Sequence, residues 1–114
     1  MTRWYGYNKY GNKKVTVDGI RFDSIHEARV YLQLKTLQHG NVISDLHLQV
    51  PFELQPSYKI NGKTVRAIKY IADFVFINEK GEKEVWDAKG VQTDVYKLKK
   101  KMFEYKYGIE IKEV

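Results

Sequence analysis

One aspartate stands in a stretch of chain that is otherwise built for burial. Asp73 lies within residues 71–76, whose other members are all apolar. Removing a carboxylate from water is costly unless an opposite charge or hydrogen bonds compensate it. A divalent cation would do so, and so would a salt bridge to a nearby lysine or arginine. Asp73 is therefore a candidate metal ligand, with a structural ion pair as the alternative.

A second aspartate and a lysine follow one strand later, separated only by Ala88. The two-residue period of a strand puts Asp87 and Lys89 on the same face. If this strand lies beside that of Asp73, the two carboxylates come close together and repel each other. A divalent cation between them would stabilise the arrangement. The alternative is an ordinary acid and base on a solvated strand face.

A third acid, Glu27, falls on the apolar side of a predicted helix. At about 100° per residue it shares a face with Val30, Tyr31 and Leu34, opposite a polar face formed by His26, Arg29, Gln33 and Thr36. Its side chain is thus predicted to point toward the interior. The competing explanation is a capping box with Ser24, in which the glutamate only satisfies a backbone N–H at the helix start.

The elements that position these residues begin with a hairpin over residues 15–22, turning at Asp18-Gly19. A helix is predicted from Ser24 to about Gln38, ending at Gly40. Residues 46–54 alternate apolar and polar as a half-buried strand does, and Pro51 indicates a bulge or a sheet edge there.

Asn61-Gly62 predicts a second hairpin turn, followed by a long strand over residues 65–77. Its far end is apolar on both faces, which is typical of a central strand. Another strand over residues 84–89, a helix over residues 93–107 ending at Gly108, and a last strand over residues 109–114 complete the chain. In the second helix, the predicted core stripe consists of Val95, Leu98 and Met102.

Composition limits the classes of protein. The 114 residues suffice for about one domain, and 43% hydrophobic and 30% charged residues are globular values. No apolar stretch approaches the roughly 20 residues that cross a bilayer, and residues 1–10 do not resemble a secretory signal. We therefore expect a cytoplasmic protein without a membrane partner. The absence of cysteine excludes disulfides and thiolate zinc sites, so any metal must be held mainly by oxygens.

A net charge of +6 favours a polyanionic partner, and nucleic acid is the leading candidate, although many small proteins are simply basic. Lys97, Lys100 and Lys101 form a basic face of the second helix that is predicted either to meet phosphates or merely to be solvated. Tyr96 and Thr93, near the start of that helix, are further candidates for substrate contact, with a helix cap as the alternative for Thr93.

Residues 1–14 form a candidate N-terminal arm, separate from a domain over residues 15–114. The arm interleaves aromatic and basic residues, among them Arg3, Lys13 and Lys14. Base stacking combined with phosphate pairing would use such a mixture. A frayed terminus, or one that packs on its own domain, is the alternative.

The ordered set of an inward glutamate, an aspartate in an apolar strand and D-x-K on the next strand resembles the PD-(D/E)XK nuclease superfamily. That superfamily has a core of helix, three strands, helix and strand, onto which residues 24–114 map. More narrowly, residues 70–74, 87–90 and 96–101 look like a phage-borne branch of small single-domain endonucleases. The sequence departs from the superfamily's name in having Ala72 in place of proline and aspartate at position 87.

The resemblance implies an α/β (α+β) protein with a restriction-endonuclease-like core, in which a central mixed sheet is flanked by helices and preceded by a hairpin. It also implies that Asp73 and Asp87 ligate Mg²⁺, or Mn²⁺ as a substitute. Glu27 would complete the site directly or through water, and Lys89 would orient or activate the attacking water.

The expected activity is hydrolysis of DNA phosphodiester bonds by a phage-encoded endonuclease in the host cytoplasm. Its substrate would be duplex or branched, Holliday-junction-like DNA in recombination, replication or packaging. A homodimer fits this expectation, since cutting two strands needs two sites. The alternatives are a DNA-binding or assembly module that keeps the fold without catalysis, and an RNA partner.

Overall fold

The computed structural model describes residues 14–88 and 91–114. In chain order the elements are β1 (Val15–Val17), β2 (Ile20–Phe22), α1 (Ile25–His39), β3 (Ser44–Gln55), β4 (Tyr58–Ile60), β5 (Lys63–Val65), β6 (Ile68–Ile77), β7 (Lys83–Asp87), α2 (Asp94–Tyr107) and β8 (Ile111–Glu113). Arg3 and Lys13 of the predicted arm lie outside the described residues, as do Lys89 and Gly90.

The main sheet has four strands in the order β3-β6-β7-β8. Strand β6 pairs antiparallel with both β3 and β7, whereas β8 pairs parallel with β7. Two small hairpins, β1-β2 and β4-β5, form separate two-stranded sheets. Over residues 14–88 and 91–114 the protein is thus a mixed α+β structure with a central mixed sheet, two helices and a hairpin before the first helix, and the prediction is confirmed at this level.

Both hairpins turn where the sequence predicts. Asp18 and Gly19 have φ of 53° and 75°, and Asn61 and Gly62 have φ of 49° and 75°. Two consecutive residues with positive φ define the type I′ turn, whose twist matches that of the flanking strands. These dipeptides therefore set the hairpin geometry locally.

The predicted strand over residues 65–77 is wrong in its extent, since the structure divides it at residues 66–67 into β5 and β6. The reason is a change of pairing partner, because β5 pairs with β4 whereas β6 pairs with β3. The central position of β6 is confirmed. Among the described strands β3 lies at the edge of the main sheet, which agrees with the second of the two possibilities that Pro51 indicated, a bulge or an edge.

Strand β6 contributes to two apolar clusters. Phe74 and Phe76 pack with Tyr31 and Leu34 of α1. Tyr70, Val75 and Ala72 belong to a second cluster, which also contains Tyr96 and Phe103 of α2, with Val85, Leu54 and Ile111. Each helix thus has its own apolar contact with the central strand.

The predicted core stripe of α2 is wrong for Val95 and Leu98, whereas Met102 is half-buried and packs against the second apolar cluster. Val95 and Leu98 are 61% and 60% exposed, whereas Tyr96 and Phe103 are buried. These two aromatic residues are seven positions apart, two helical turns, and their rings lie near the ring of Tyr70. The larger rings bury more apolar surface than Val95 and Leu98 would. Packing of α2 on the sheet is therefore more favourable with the face of Tyr96 and Phe103 turned inward.

Neither described helix is long and apolar enough to cross a membrane.

Candidate functional site

Asp73 lies at the point where the pairing of β6 with β7 ends. The last backbone pair of the ladder is Phe74 with Trp86, and the same register continued by one residue sets Asp73 opposite Asp87. Here the Asp73 Oδ2 accepts a hydrogen bond from the backbone N–H of Ala88 at 2.9 Å. The side chain of Asp73 therefore joins the two strands beyond the end of the ladder. Its Oδ1 is not used in this bond and has a different partner.

That other oxygen faces a glutamine that also contacts Glu27. Gln49 Nε2 donates to Asp73 Oδ1 and to Glu27 Oε2, each at 3.2 Å. Glu27 and Asp73 are both only 9% exposed. One amide nitrogen thus lies between two buried carboxylates from different elements, and the inward direction predicted for Glu27 is confirmed.

The start of α1 accounts for the position of Glu27. Ser24 is the N-cap, and its hydroxyl accepts from the Glu27 backbone N–H at 3.1 Å. The Glu27 carboxylate, however, reaches Gln49, which is 22 residues away in the chain. Its contact beyond the helix shows that this glutamate does more than cap its own first turn.

The sequence does not single out Gln49, because in an alternating strand it has the position of an outward polar residue. It is exposed, and its φ of 53° places it in the left-handed region, which is uncommon for a non-glycine residue. Departures of this kind concentrate at functional sites. No local signal in the sequence predicts this backbone conformation.

Asp87 is fully buried at the end of β7. Its Oδ2 accepts a hydrogen bond from the hydroxyl of Tyr70 at 2.7 Å. Burial of the Tyr70 hydroxyl raises its pKa, and the hydrogen bond to Asp87 raises it further, with a smaller contribution from the charge of Asp73. Tyr70 is therefore a neutral hydrogen-bond donor at physiological pH. Its role was not predicted from the sequence.

The structure thus brings Glu27 and Asp73 to one amide nitrogen and places Asp87 on the adjacent strand. Within residues 14–88 and 91–114, no group of three histidine or acidic side chains is arranged to hold a metal ion. The fourth predicted residue, Lys89, lies outside the described residues.

The chemistry of the donors nevertheless suits a hard cation. The hydrogens on Gln49 Nε2 carry partial positive charge and point to two carboxylates, which would attract a cation in the same way. Mg²⁺ prefers oxygen ligands and retains several waters, so it does not need a cage made only of protein. Glu27 and Asp73 are the residues that could hold such an ion, and Asp87 lies on the strand adjacent to that of Asp73.

The residues predicted to contact DNA on α2 fall into two groups. Lys97 and Lys101 are exposed. Lys100 is half-buried, with its Nζ 3.2 Å from Glu113 Oε2, and Tyr96 is buried with its hydroxyl donating to the same carboxylate at 2.8 Å. This hydrogen bond from Tyr96 holds the pKa of Glu113 below its usual range. Lys97 and Lys101 are therefore the more accessible of the four.

Two remaining predictions concern single residues. The Thr93 hydroxyl accepts from the backbone N–H of Tyr96 at 3.1 Å, so its interpretation as a helix cap is confirmed. Lys14, the last residue of the predicted arm, is exposed directly before β1.

The fold and the site together define a small α+β protein with buried acids gathered around its central strand. A family model described as "Protein of unknown function (DUF1064)" matches residues 7–113, and the chain belongs to this family. Neither the comparison with curated proteins nor that with solved structures found a match.

Proposed function

We propose that this chain is a metal-dependent DNA endonuclease with a restriction-endonuclease-like core. The observation that carries the proposal is the pair of buried carboxylates, Glu27 and Asp73, that share the amide nitrogen of Gln49. Asp73 lies on the strand adjacent to that of a third buried acid, Asp87. Apart from the two hairpins, the elements follow in the order α1, β3, β6, β7, α2, β8. This sequence of helix, three strands, helix and strand supports the proposal, because the PD-(D/E)XK superfamily that the motifs resemble has the same order.

Hydrolysis of a phosphodiester needs an activated water, compensation of the charge on the phosphate, and stabilisation of the leaving oxygen. A bound Mg²⁺ or Mn²⁺ supplies Lewis-acid chemistry for these requirements. Glu27, Asp73 and Asp87 would hold the ion. The Ala88 N–H fixes the orientation of Asp73, and Tyr70 fixes that of Asp87, so both carboxylates are preorganised.

The remaining roles belong to basic residues. Lys89 keeps the role that the resemblance implies, to orient or activate the attacking water. Lys97 and Lys101, exposed on α2, contact phosphates of the substrate. The net charge of +6 supports the approach of a polyanion. The resemblance to phage-borne endonucleases favours duplex or branched DNA as the substrate, in recombination, replication or packaging.

The test is cleavage of plasmid DNA and of a four-way junction with Mg²⁺, with Mn²⁺ and with a chelator. We expect cation-dependent cleavage that falls about 100-fold or more in Asp73→Asn and Asp87→Asn. The matched control is Asp45→Asn, which changes an aspartate of β3 whose side chain is 68% exposed and contacts His47. Cleavage that persists in chelator, or that Asp73→Asn leaves unchanged, would refute the proposal.

A DNA-binding module without catalysis is the second candidate, and the exposed Lys97 and Lys101 favour it. It predicts salt-sensitive DNA binding without cation-dependent cleavage. Measuring the affinity and the cleavage rate of Asp73→Asn on the same substrate separates the two functions. If Asp73→Asn still binds DNA but no longer cleaves it, the protein is an enzyme. The same assays with RNA show which type of nucleic acid it binds.

A further inference from the structure

A cavity of about 270 Å³ opens between the beginning of β6, at residues 69–71, and the start of α2. Residues of β6 and α2 line it on both sides, among them Lys69, Ile71, Val95 and Lys99. Among the residues that the structure describes, no acidic residue lines the cavity, although the chain contains 14 Asp and Glu. The cavity is therefore locally basic, and we refer to it as the β6-α2 pocket.

The β6-α2 pocket adjoins the candidate site through its aromatic lining. Tyr70 lines the pocket and donates its hydroxyl hydrogen to Asp87. Tyr96 also lines it, and its pKa is raised by burial, by its hydrogen bond to Glu113 and by the charge of Asp87. A ligand in this pocket would thus lie one side chain away from a proposed metal-binding acid.

The walls of the pocket expose apolar surface. Ile71 is 52% exposed and Val95 61% exposed, and Leu98, one turn further along α2, is 60% exposed. Water contact with several large aliphatic side chains in one place is unfavourable, and such patches commonly mark binding surfaces. The sequence pattern predicted Val95 and Leu98 to be core residues, so their exposure follows from the tertiary structure alone.

Lys69 and Lys99 supply the positive charge of the β6-α2 pocket. Lys69 is exposed on β6, and Lys99 is half-buried on α2. Among the described residues, neither forms an ion pair with an acidic side chain. Two ammonium groups can compensate the charge of phosphates, and the aliphatic walls beside them offer apolar surface to the sugar or base of a nucleic acid strand.

We propose that the β6-α2 pocket binds one strand of the nucleic acid substrate beside the catalytic acids. Lys69 and Lys99 contact phosphates, and Ile71 and Val95 contact the sugar or base between them. This inference rests on the proposed function for its choice of nucleic acid as the ligand. The cavity volume of about 270 Å³ lies just below the range of roughly 300–1,000 Å³ for pockets that enclose free small molecules, which fits a site for part of a longer chain.

The experiment measures binding of the full chain to a short fluorescein-labelled DNA duplex by fluorescence anisotropy, in chelator, over a range of salt concentrations. In Lys69→Ala/Lys99→Ala we expect the affinity to fall about tenfold and the salt slope to decrease by about two, one unit per lost phosphate contact. The matched control is Lys59→Ala/Lys63→Ala, which removes two exposed lysines from the β4-β5 hairpin.

The apolar walls are tested separately with Ile71→Ser/Val95→Ser. We expect a weaker affinity with an unchanged salt slope, because no charge is removed. Ile60→Ser is the control for Ile71, since Ile60 is 55% exposed and lies in the β4-β5 hairpin. Far-ultraviolet circular dichroism of each variant confirms that the fold is retained.

The outcomes separate this inference from the proposed function. If the wild type does not cleave DNA but the lysine variant loses affinity as described, the pocket is a nucleic acid site and only the nuclease proposal fails. If the wild type cleaves DNA but the lysine variant binds and cleaves as its control does, the pocket proposal is overturned. Unchanged DNA affinity with an altered oligomeric state in the serine variant would also overturn it, because the apolar walls would then contact a second copy of the chain.

Discussion

Tyr70 donates its hydroxyl hydrogen to Asp87 across 2.7 Å, and both side chains are buried. The bond links β6 to the end of β7, beyond the last backbone pair of the ladder between these strands. It gives a buried carboxylate a neutral donor whose proton does not leave at physiological pH, because burial raises the pKa of Tyr70. Tyr70 thus positions Asp87 in the proposed site.

The first prediction concerns that bond. Tyr70→Phe keeps the ring and removes the donor, which leaves a buried carboxylate with one hydrogen bond fewer. We expect the free energy of unfolding to fall by about 1–3 kcal/mol. Urea denaturation measures it, with Tyr58→Phe as the control, because Tyr58 is 46% exposed. Equal stability of Tyr70→Phe and the control would contradict the role assigned to this bond.

The second prediction concerns the glutamine between the two acids. Gln49→Glu replaces a donor by a third carboxylate facing Glu27 and Asp73. In chelator at neutral pH we expect a loss of roughly 1–3 kcal/mol in stability. Mn²⁺ should raise the melting temperature of this variant more than that of the wild type, since a cation relieves the repulsion.

The control for this variant is Gln33→Glu, which makes the same change at an exposed position of α1. We expect it to alter stability by no more than about 0.5 kcal/mol and to leave the response to Mn²⁺ unchanged. A loss in Gln49→Glu that Mn²⁺ does not reverse would show that these carboxylates do not hold a cation together.

The third prediction is a pH dependence. The hydrogen bond from Tyr96 holds the pKa of Glu113 below its ordinary value of 4.5. The folded state thus binds this proton less tightly than the unfolded state does. The resulting stabilisation is present above pH 4.5 and is lost as the pH falls through the lower pKa of the folded protein.

Tyr96→Phe should remove this contribution. We expect a loss of about 1 kcal/mol at pH 7 and a smaller difference from the wild type below the pKa of Glu113, where the carboxyl is protonated in both proteins. The expected loss of about 1 kcal/mol is smaller than that for a fully buried hydrogen bond to a charged group, because solvent partly screens Glu113. Urea titrations at both pH values measure it, with Tyr105→Phe, at a position 93% exposed, as the control. A difference that does not depend on pH would refute the linkage.

The fourth prediction compares the lysines of α2. Lys97 and Lys101 are exposed, whereas Lys100 lies 3.2 Å from Glu113. If the exposed pair meets DNA phosphates, Lys97→Ala/Lys101→Ala decreases the salt slope of DNA binding by about two. Lys100→Ala should change the salt slope of DNA binding less than Lys97→Ala or Lys101→Ala does. Identical slopes for the wild type and the double variant would show that this face of α2 is only solvated.

Much of the architecture could be predicted because it depends on contacts between residues close in sequence. Asp18-Gly19 and Asn61-Gly62 specify their turns through their own backbone preferences. Ser24 begins α1 by accepting a side-chain hydrogen bond from the backbone N–H of Glu27, three residues on, and α1 ends at Gly40. The inward direction of Glu27 follows from helical periodicity, and the burial of Asp73 from its apolar neighbours in the chain.

Other features depended on partners distant in sequence. Helical periodicity favoured Val95 and Leu98 as the buried face of α2, but contact with Tyr70 favours Tyr96 and Phe103 instead. A helix with apolar residues on two sides does not reveal which side will face the sheet. That choice depends on the surface that β6 presents.

The sequence by itself determined the helices, the hairpin turns, the central strand and the candidate acids, since propensity, capping and periodicity are local properties. Only the tertiary structure decided which side chains meet those acids. Gln49 reaches Glu27 and Asp73 over 22 and 24 positions of the chain, from a backbone conformation that no local pattern signals. Contacts over such distances form only when β3 and β6 pair in a particular register, and that register results from the packing of the whole sheet.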